Sequence, residues 1–194
     1  FSYARTYWGD QPIVEAPAYI GITVFFLSLI GFFLMHKRWR FILLSSIVVS
    51  LLISWGKHLP QLTQFLIDYV PYYNKFRAVS SAQVILELCF PVAAVMGMIG
   101  LMDASNSSRS KALNHSLLLV MGLLGLVWIA AVSVFDYQSD SEIFSAYPEI
   151  LNPLMEDRKT MLFNDLMRSV GFIVAIYIVC RLAFVNNKKQ FVIP

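Results

Sequence analysis

Residues 81–102 read SAQVILELCFPVAAVMGMIGLM, a long apolar run in which Glu87 is the only charged side chain. A helix needs roughly 20 residues to cross a hydrocarbon core about 30 Å thick. A backbone exposed to lipid must also satisfy its own hydrogen bonds, as a helix does. Four further apolar stretches lie at residues 18–35, 39–55, 112–135 and 166–185. The sequence therefore predicts an all-α, polytopic transmembrane helical bundle of about five spans.

The composition favours the same class of protein. The chain is 58% hydrophobic and 14% charged, with a mean hydropathy of +0.65, whereas a soluble domain carries about 25% charged residues. Helices of a soluble bundle would show a polar stripe, which these five stretches lack. We treat residues 1–194 as a single transmembrane region. The chain starts at Phe1 with no visible signal peptide, so we expect an interior fragment or a processed product of a larger membrane protein.

Basic residues in short loops predict the orientation. HKRWR, at residues 36–40, carries three Lys or Arg side chains and is placed on the cytoplasmic side by the positive-inside rule. Alternation then puts residues 103–111 and 186–190 inside, and the start of the chain and residues 56–80 and 136–165 outside. Seven Lys or Arg residues also fall on the predicted outer side, counting Arg5 and Arg168 at the outer end of span five, so the assignment rests on the short HKRWR turn.

Cysteine, histidine and glycine patterns point to packing and not to chemistry. Cys89 and Cys180 lie toward opposite ends of their spans, which makes a disulfide geometrically unfavourable. Neither belongs to a metal-binding motif, and no cofactor motif is present. The small basic clusters are explained by the membrane topology, so they give no support for nucleic-acid binding. Four glycines in the third and fourth spans are interpreted as sites of close helix contact, namely Gly97, Gly100, Gly122 and Gly125.

The outer segment between spans two and three contains a short amphipathic pattern. Residues 59–70 are predicted to form a helix in the membrane interface, beginning at Pro60 and ending before Pro71. Four potential donors flank it: Lys57, His58, Lys75 and Arg77. They are interpreted either as ligands of a lipid phosphate or as generic anchors in the headgroup region.

A polar face opens span three. Ser80, Gln83 and Glu87 follow helical spacing and extend about 10 Å into the membrane. An intramembrane carboxylate is costly without a partner, so Glu87 is interpreted either as a functional residue or as a protonated or ion-paired structural one. Gln83 is a second intramembrane polar residue on the same face. Arg168, near the outer end of span five, is the expected partner of Glu87, and Asp165 is expected to share a helical face with Arg168.

Five segments together resemble one family. They are YWGDQP (7–12), AYIGITVFFLSLIGFFL (18–34), SWGK (54–57), DYVPYYNKFRAVS (68–80) and DRKTMLFNDLMRS (157–169). They are similar to the YfhO family of bacterial membrane proteins, and the resemblance covers essentially the whole chain. NKFRAVS is its most specific part.

The resemblance implies a multi-pass protein of the bacterial cytoplasmic membrane, related to glycosyltransferases of the GT-C type. Such enzymes transfer a sugar from a polyprenyl-phosphate carrier to an acceptor, here a cell-envelope glycan or polymer. The donor would be the polyprenyl-phosphate-linked sugar, and the partners would be the lipid bilayer and the remaining spans of a longer chain. No metal site is expected from the residues, and the sequence does not decide whether a divalent metal takes part.

The resemblance also implies roles for individual residues. The cations that would bind the lipid phosphate are Lys57, Lys75, Arg77, Arg158 and Arg168. Three aromatic residues would stack on sugar or isoprenoid: Trp8, Tyr72 and Tyr73. The catalytic acid of the family lies in a loop upstream of this chain, and Asp10 is a weak substitute within it.

Two other functions stay open at this point. A transporter or flippase of a lipid-linked sugar would show inverted repeats and broken helices, and no convincing repeat is visible. A non-catalytic membrane scaffold would show little dependence on Arg77 or Glu87.

Overall fold

A computed structural model describes residues 19–75, 79–137 and 148–186 of the chain. All the regular secondary structure in these ranges is helical. The all-α class predicted from the sequence is therefore confirmed.

Six α-helices follow one another along the described chain. They are α1 (Ile22–Leu34), α2 (Lys37–Ser54), α3 (Pro60–Tyr69), α4 (Gln83–Asp103), α5 (Asn106–Ser133) and α6 (Pro148–Cys180). Short 3₁₀ turns cover Gly56–His58, Tyr73–Lys75 and Val79–Ala82, and a π-helical turn covers Arg181–Asn186.

Three helical stretches of the described ranges are long and apolar enough to cross a membrane. They are Ser80–Asp103, Asn106–Ser133 and Leu151–Val185, with 24, 28 and 35 residues. Helix α1 is apolar but has only 13 residues, which at 1.5 Å per residue is about 20 Å, less than a hydrocarbon core of about 30 Å. Helix α2 has 18 residues but begins with KRWR. The structure thus supports a membrane protein, and the count of five spans stays a prediction.

The chain divides into two compact units. Within the described ranges, the first contains residues 19–75, 79–116 and 180–186, and the second contains residues 117–137 and 148–179.

In the first unit, α1 and α4 approach closely through glycine. A Cβ atom on Gly31 would overlap the carbonyl oxygen of Ala93, and one on Gly97 would lie 2.5 Å from the carbonyl oxygen of Leu27. A Cβ on Gly100 would lie 2.8 Å from that of Leu34. Gly97 and Gly100 are therefore close helix contacts, as predicted. Such approach of two backbones is the arrangement that small residues permit in membranes.

Helix α2 packs against the N-terminal half of α4. Around this contact lies a buried apolar cluster: Phe32, Met35, Leu43, Ile47, Leu86, Cys89, Phe90 and Ala93. The Ser50 hydroxyl donates a 2.6 Å hydrogen bond to the carbonyl oxygen of Ala82, just before α4 begins. This bond places the C-terminal half of α2 beside the N-terminus of α4.

The basic HKRWR segment is not the loop that the sequence suggested. The turn between α1 and α2 is only Met35 and His36, and α2 begins at Lys37. The Arg40 guanidinium reaches back and donates to the carbonyl oxygens of Phe33 and Met35, at 3.1 and 3.3 Å. Arg40 thus satisfies carbonyl groups that the end of α1 leaves without helical partners.

Three parts of the first unit meet at one of its ends. Arg109, in the first turn of α5, donates to the carbonyl oxygens of Met102 and Phe184. The rings of Phe33 and His115 have centroids 5.8 Å apart. The end of α1, the start of α5 and the π-helical turn after α6 therefore lie together, while the orientation in the membrane stays a prediction.

In the second unit, the segment predicted as an outer loop is largely helical. Helix α6 begins at Pro148, well before the expected span start at residue 166, and it includes EDRK. The loop interpretation of residues 148–165 was therefore wrong. The charged residues that lowered the hydropathy are also good helix formers, as Glu, Arg and Lys are.

The other two glycines predicted as contacts behave differently from the pair on α4. A Cβ atom added to Gly122 or Gly125 would have no neighbour within 4 Å in the described chain, apart from the backbone of its own helix. The contact role predicted for these two glycines is therefore not seen in the described ranges.

Candidate functional site

The polar end of the first unit is formed by residues 55–75 and the N-terminus of α4. Gly56, with a φ of 44°, turns the chain out of α2, and the Thr63 hydroxyl donates a 2.7 Å bond to the Gly56 carbonyl oxygen. Pro60 occupies the first turn of α3, where its missing N–H costs nothing. The predicted helix at residues 59–70 is thus confirmed over Pro60–Tyr69.

Helix α3 has two different faces and no buried residue. On one face the Gln64 amide donates a 2.9 Å bond to the Asp68 carboxylate. On the other, the rings of Phe65 and Tyr69 lie 4.9 Å apart, and both side chains are exposed. Ten residues are too few to cross a bilayer, and exposed rings opposite a polar face are typical of a helix lying in the interface.

The predicted phosphate ligands of this end are only partly described. Lys75 ends a 3₁₀ turn and is exposed. Lys57 lies in the turn after α2, but the structure does not describe its side chain. Arg77, Asp10 and Trp8 lie outside the described residues. Tyr72 has a φ of 65° and is exposed, and Tyr73 is half-buried.

The polar face of α4 is present as predicted. Gln83 and Glu87 are both half-buried, and within the described part of the chain neither has a hydrogen bond or ion pair. Pro91 lies inside α4 and cannot donate to the carbonyl oxygen of Glu87 four residues earlier. The Arg168 guanidinium lies 3.7 Å from the carboxylate of Asp165, and the pairing of Arg168 with Glu87 stays a prediction. The predicted shared face of Asp165 and Arg168 is confirmed.

Arg158 is buried, whereas a phosphate ligand at the surface would be exposed. Its side chain is 1% exposed, and its Nη1 donates a 2.7 Å bond to the carbonyl oxygen of Tyr137. The Tyr137 hydroxyl in turn donates to the carbonyl oxygen of Ala131, also at 2.7 Å. Arg158 therefore anchors the segment after α5, a role that its charge alone did not reveal.

A cavity that sequence reasoning missed lies in the second unit. It has a volume of about 320 Å³ and lies between the end of α5 and the first half of α6. Its lining residues are Trp128, Ala131, Val132, Tyr137, Glu156, Lys159, Thr160, Leu162, Phe163 and Leu166. The aromatic residues near the end of α5 are the signal that could have found it, although hydropathy alone assigns them to a span and its loop.

The two cysteines are free and buried, in agreement with the prediction of no disulfide. Within the described ranges, no three His, Cys, Asp or Glu side chains converge as metal ligands would.

Over the ranges that the structure describes, the regular structure is all helical, three helices are long and apolar enough to cross a membrane, and one end of the first unit is polar and amphipathic. In comparisons with known proteins, the chain matches no protein-family model, and no curated protein or solved structure matches it significantly.

Proposed function

We propose that this chain is the membrane-embedded part of a polyprenyl-phosphate-dependent glycosyltransferase that acts on cell-envelope glycans or polymers in the bacterial cytoplasmic membrane. The assignment to this chemistry comes from the resemblance of NKFRAVS and the other quoted segments to the YfhO family. The structural observation that supports it best is helix α3, an amphipathic helix at the polar end with exposed rings on one face.

A lipid-linked sugar is itself amphipathic, and this end of the unit matches that character. Its isoprenoid chain belongs in hydrocarbon, while its phosphate and sugar lie at headgroup depth. The exposed rings of Phe65 and Tyr69 offer an apolar surface, and the Lys75 ammonium offers a cation shortly after the same helix. Aromatic residues favour this depth because they are apolar with a polar edge.

Among the proposed phosphate ligands, Arg158 is buried and donates to the carbonyl oxygen of Tyr137, so it is not offered to a carrier at the surface. Arg168 lies 3.7 Å from the carboxylate of Asp165 and stays exposed, so it is kept in the set with Lys57, Lys75 and Arg77. Lys57 and Lys75 lie at the polar end, and Arg77 follows Lys75 along the chain. Among them only arginine can grip a phosphate as a planar fork with two parallel hydrogen bonds.

Gln83 and Glu87 give the same end a polar face on α4. Ser50 holds the start of α4 against α2, and α2 leads directly into the segment that carries α3. In the proposal, Glu87 interacts with an acceptor hydroxyl that approaches from the polar end. A general base is needed in such a transfer.

The test is transfer of sugar from a polyprenyl-phosphate donor by the full-length protein, compared at equal membrane abundance. We expect Arg77→Lys to lose about tenfold or more, because charge-assisted hydrogen bonds contribute about 1.5–3 kcal/mol. Arg38→Lys is the matched control, since Arg38 is exposed on the first turn of α2. Wild-type transfer by both Arg77→Lys and Arg77→Ala would remove Arg77 from the site.

The other two functions give different results in the same membranes. Movement of the lipid-linked sugar across the bilayer without transfer would identify a transporter. A protein that neither transfers nor moves the carrier, and that tolerates both Arg77→Ala and Glu87→Gln in cells, would be a scaffold.

A further inference from the structure

The lining of the cavity of about 320 Å³ in the second unit changes from polar to apolar along the axis of α6. Glu156, Lys159 and Thr160 line one end of it, while Leu162, Phe163 and Leu166 line the other. Their spacing puts them on one face of the helix. From Glu156 to Leu166 the helix rises about 15 Å, so the polar and apolar ends are well separated.

The apolar end is built around an aromatic contact. The rings of Trp128 on α5 and Phe163 on α6 have centroids 4.9 Å apart and are inclined by 59°. Leu166 is buried beside them. These side chains offer a surface for a hydrocarbon chain.

The wall opposite α6 is held in place by hydrogen bonds. Tyr137 lies at a φ of 57°, which non-glycine residues seldom adopt. Arg158 holds its carbonyl oxygen, and its own hydroxyl is bonded to Ala131. The cavity is therefore preformed, and the buried Arg158 guanidinium is committed to the wall.

The polar end carries one charge of each sign. Glu156 and Lys159 are exposed, and among the described residues neither has a hydrogen bond or an ion pair. Thr160 adds a hydroxyl that is likewise without a partner there. A ligand that complements this end must present both an anion and a cation that can donate hydrogen bonds.

The position along the chain matches the boundary between headgroups and hydrocarbon. Helix α5 ends at Ser133, and the charged EDRK segment of α6 precedes three apolar residues, 161–163, before Asn164, Asp165 and Arg168 and then the long apolar run of the helix. Trp128 and Tyr137 then lie where aromatic side chains are enriched in membrane proteins.

We infer that this cavity binds one zwitterionic phospholipid of the ethanolamine type. The phosphate contacts the Lys159 ammonium and the Thr160 hydroxyl, the ethanolamine ammonium donates to the Glu156 carboxylate, and the start of one acyl chain packs on Trp128, Phe163 and Leu166. A volume of about 320 Å³ holds the headgroup and the first part of a chain, since ligand sites begin at about 300 Å³. This inference does not depend on the proposed glycosyl transfer.

Other lipid headgroups fit the charges less well. An anionic headgroup without an ammonium would meet the Glu156 carboxylate with no compensating contact. A choline headgroup carries a cation but has no N–H to donate to that carboxylate. We therefore expect the ethanolamine lipid to bind most tightly and the lipids with glycerol or choline headgroups to bind more weakly.

The experiment measures lipid binding next to Trp128 by fluorescence quenching. The full chain is purified with Trp8, Trp39 and Trp55 replaced by Phe, and phospholipids with brominated acyl chains are titrated into the detergent-solubilised protein. Three headgroups are compared: ethanolamine, glycerol and choline. We expect the ethanolamine lipid to quench at about tenfold lower mole fraction, because a hydrogen bond to a charged group contributes about 1.5–3 kcal/mol.

Two variants assign the headgroup contacts. Glu156→Gln should abolish the preference for ethanolamine over glycerol, while Lys159→Gln should weaken both. Glu149→Gln is the matched control for the first, because Glu149 is an exposed glutamate on the first turn of the same helix and does not line the cavity. Lys37→Gln serves the same purpose for the second.

Several results would overturn the inference. Equal quenching by all three headgroups means that Trp128 senses only the bulk lipid of the micelle. Stronger quenching by the glycerol lipid or by a brominated polyprenyl phosphate means an anion site. The headgroup series keeps Glu156 and Lys159 and needs only the three Trp→Phe replacements to fold, so it decides the matter even if Glu156→Gln or Lys159→Gln is unstable.

Discussion

The backbone nitrogen of Gly31 lies 2.8 Å from the position that a Cβ atom would occupy on Gly97. Real Cβ atoms essentially never make contacts that short, so the two helices that carry these residues can adopt this distance only because both positions lack a side chain. In hydrocarbon there is little hydrophobic force between helices, and close packing becomes a main source of their association. The pair therefore fixes the contact of α1 with α4, on which the core of the first unit is built.

We expect Gly97→Ala to destabilise the protein by about 1–3 kcal/mol, because the added methyl group overpacks a rigid backbone contact. The measurement is the free energy of unfolding in detergent. Gly122→Ala is the matched control: no neighbouring helix of the described chain lies near its Cβ position, and alanine is favoured over glycine inside a helix by about 0.5–1 kcal/mol. Destabilisation of equal size in the two variants would contradict the close contact.

The topology prediction can be tested with single cysteines. Gln64→Cys and Ser139→Cys should react with a membrane-impermeant thiol reagent in intact cells, because HKRWR is expected inside. Ser107→Cys should react only after the inner face is opened. The native Cys89 and Cys180 are both buried, so they should give little background. If all three variants show the opposite labelling pattern, the predicted orientation is wrong.

Helix α3 should lie in the membrane plane with its ring-bearing face toward the lipid. Spin labels at Phe65 and Tyr69 should be relaxed mainly by oxygen, which is concentrated in hydrocarbon. Labels at Gln61 and Gln64 should be relaxed mainly by a water-soluble nickel complex. The physical reason is the exposure of apolar rings opposite a polar face on a helix too short to span. Equal exposure of all four labels to the nickel complex would mean a helix in water.

The sequence predicted those features that local chemistry determines. Pro60 and Pro71 bound α3 to within a residue, because proline starts a helix readily and stops one that precedes it. Apolar runs long enough to span a membrane also identified the fold class.

Features that depend on tertiary contacts were not predictable in the same way. Hydropathy marked HKRWR as a turn, but Arg40 belongs to α2 and caps α1. It also marked the charged start of α6 as a loop, although these residues favour helix. Glycine spacing suggested four contacts, yet only the pair on α4 has a neighbouring helix at that distance within the described ranges.

The candidate site also contains one feature that the sequence could predict and one that it could not. The cluster around α3 was visible in sequence because its aromatic and basic residues are adjacent along the chain. The cavity beside Trp128 was not, because residues 128–137 and 156–166 meet only after α5 and α6 have folded together.

The role of Arg158 can be separated from that of a phosphate ligand. We expect Arg158→Ala to lower the free energy of unfolding by about 1–3 kcal/mol, since it leaves the buried carbonyl oxygen of Tyr137 without its donor. The neighbouring cation is exposed, so Lys159→Ala should change stability by no more than about 0.5 kcal/mol. Both are measured by denaturant unfolding in detergent without added lipid. A residue that served only to bind a lipid phosphate would behave in the opposite way, with unchanged stability in detergent and a loss seen only when the lipid is present. Unchanged stability of Arg158→Ala would therefore remove the anchor role and return Arg158 to the set of phosphate ligands.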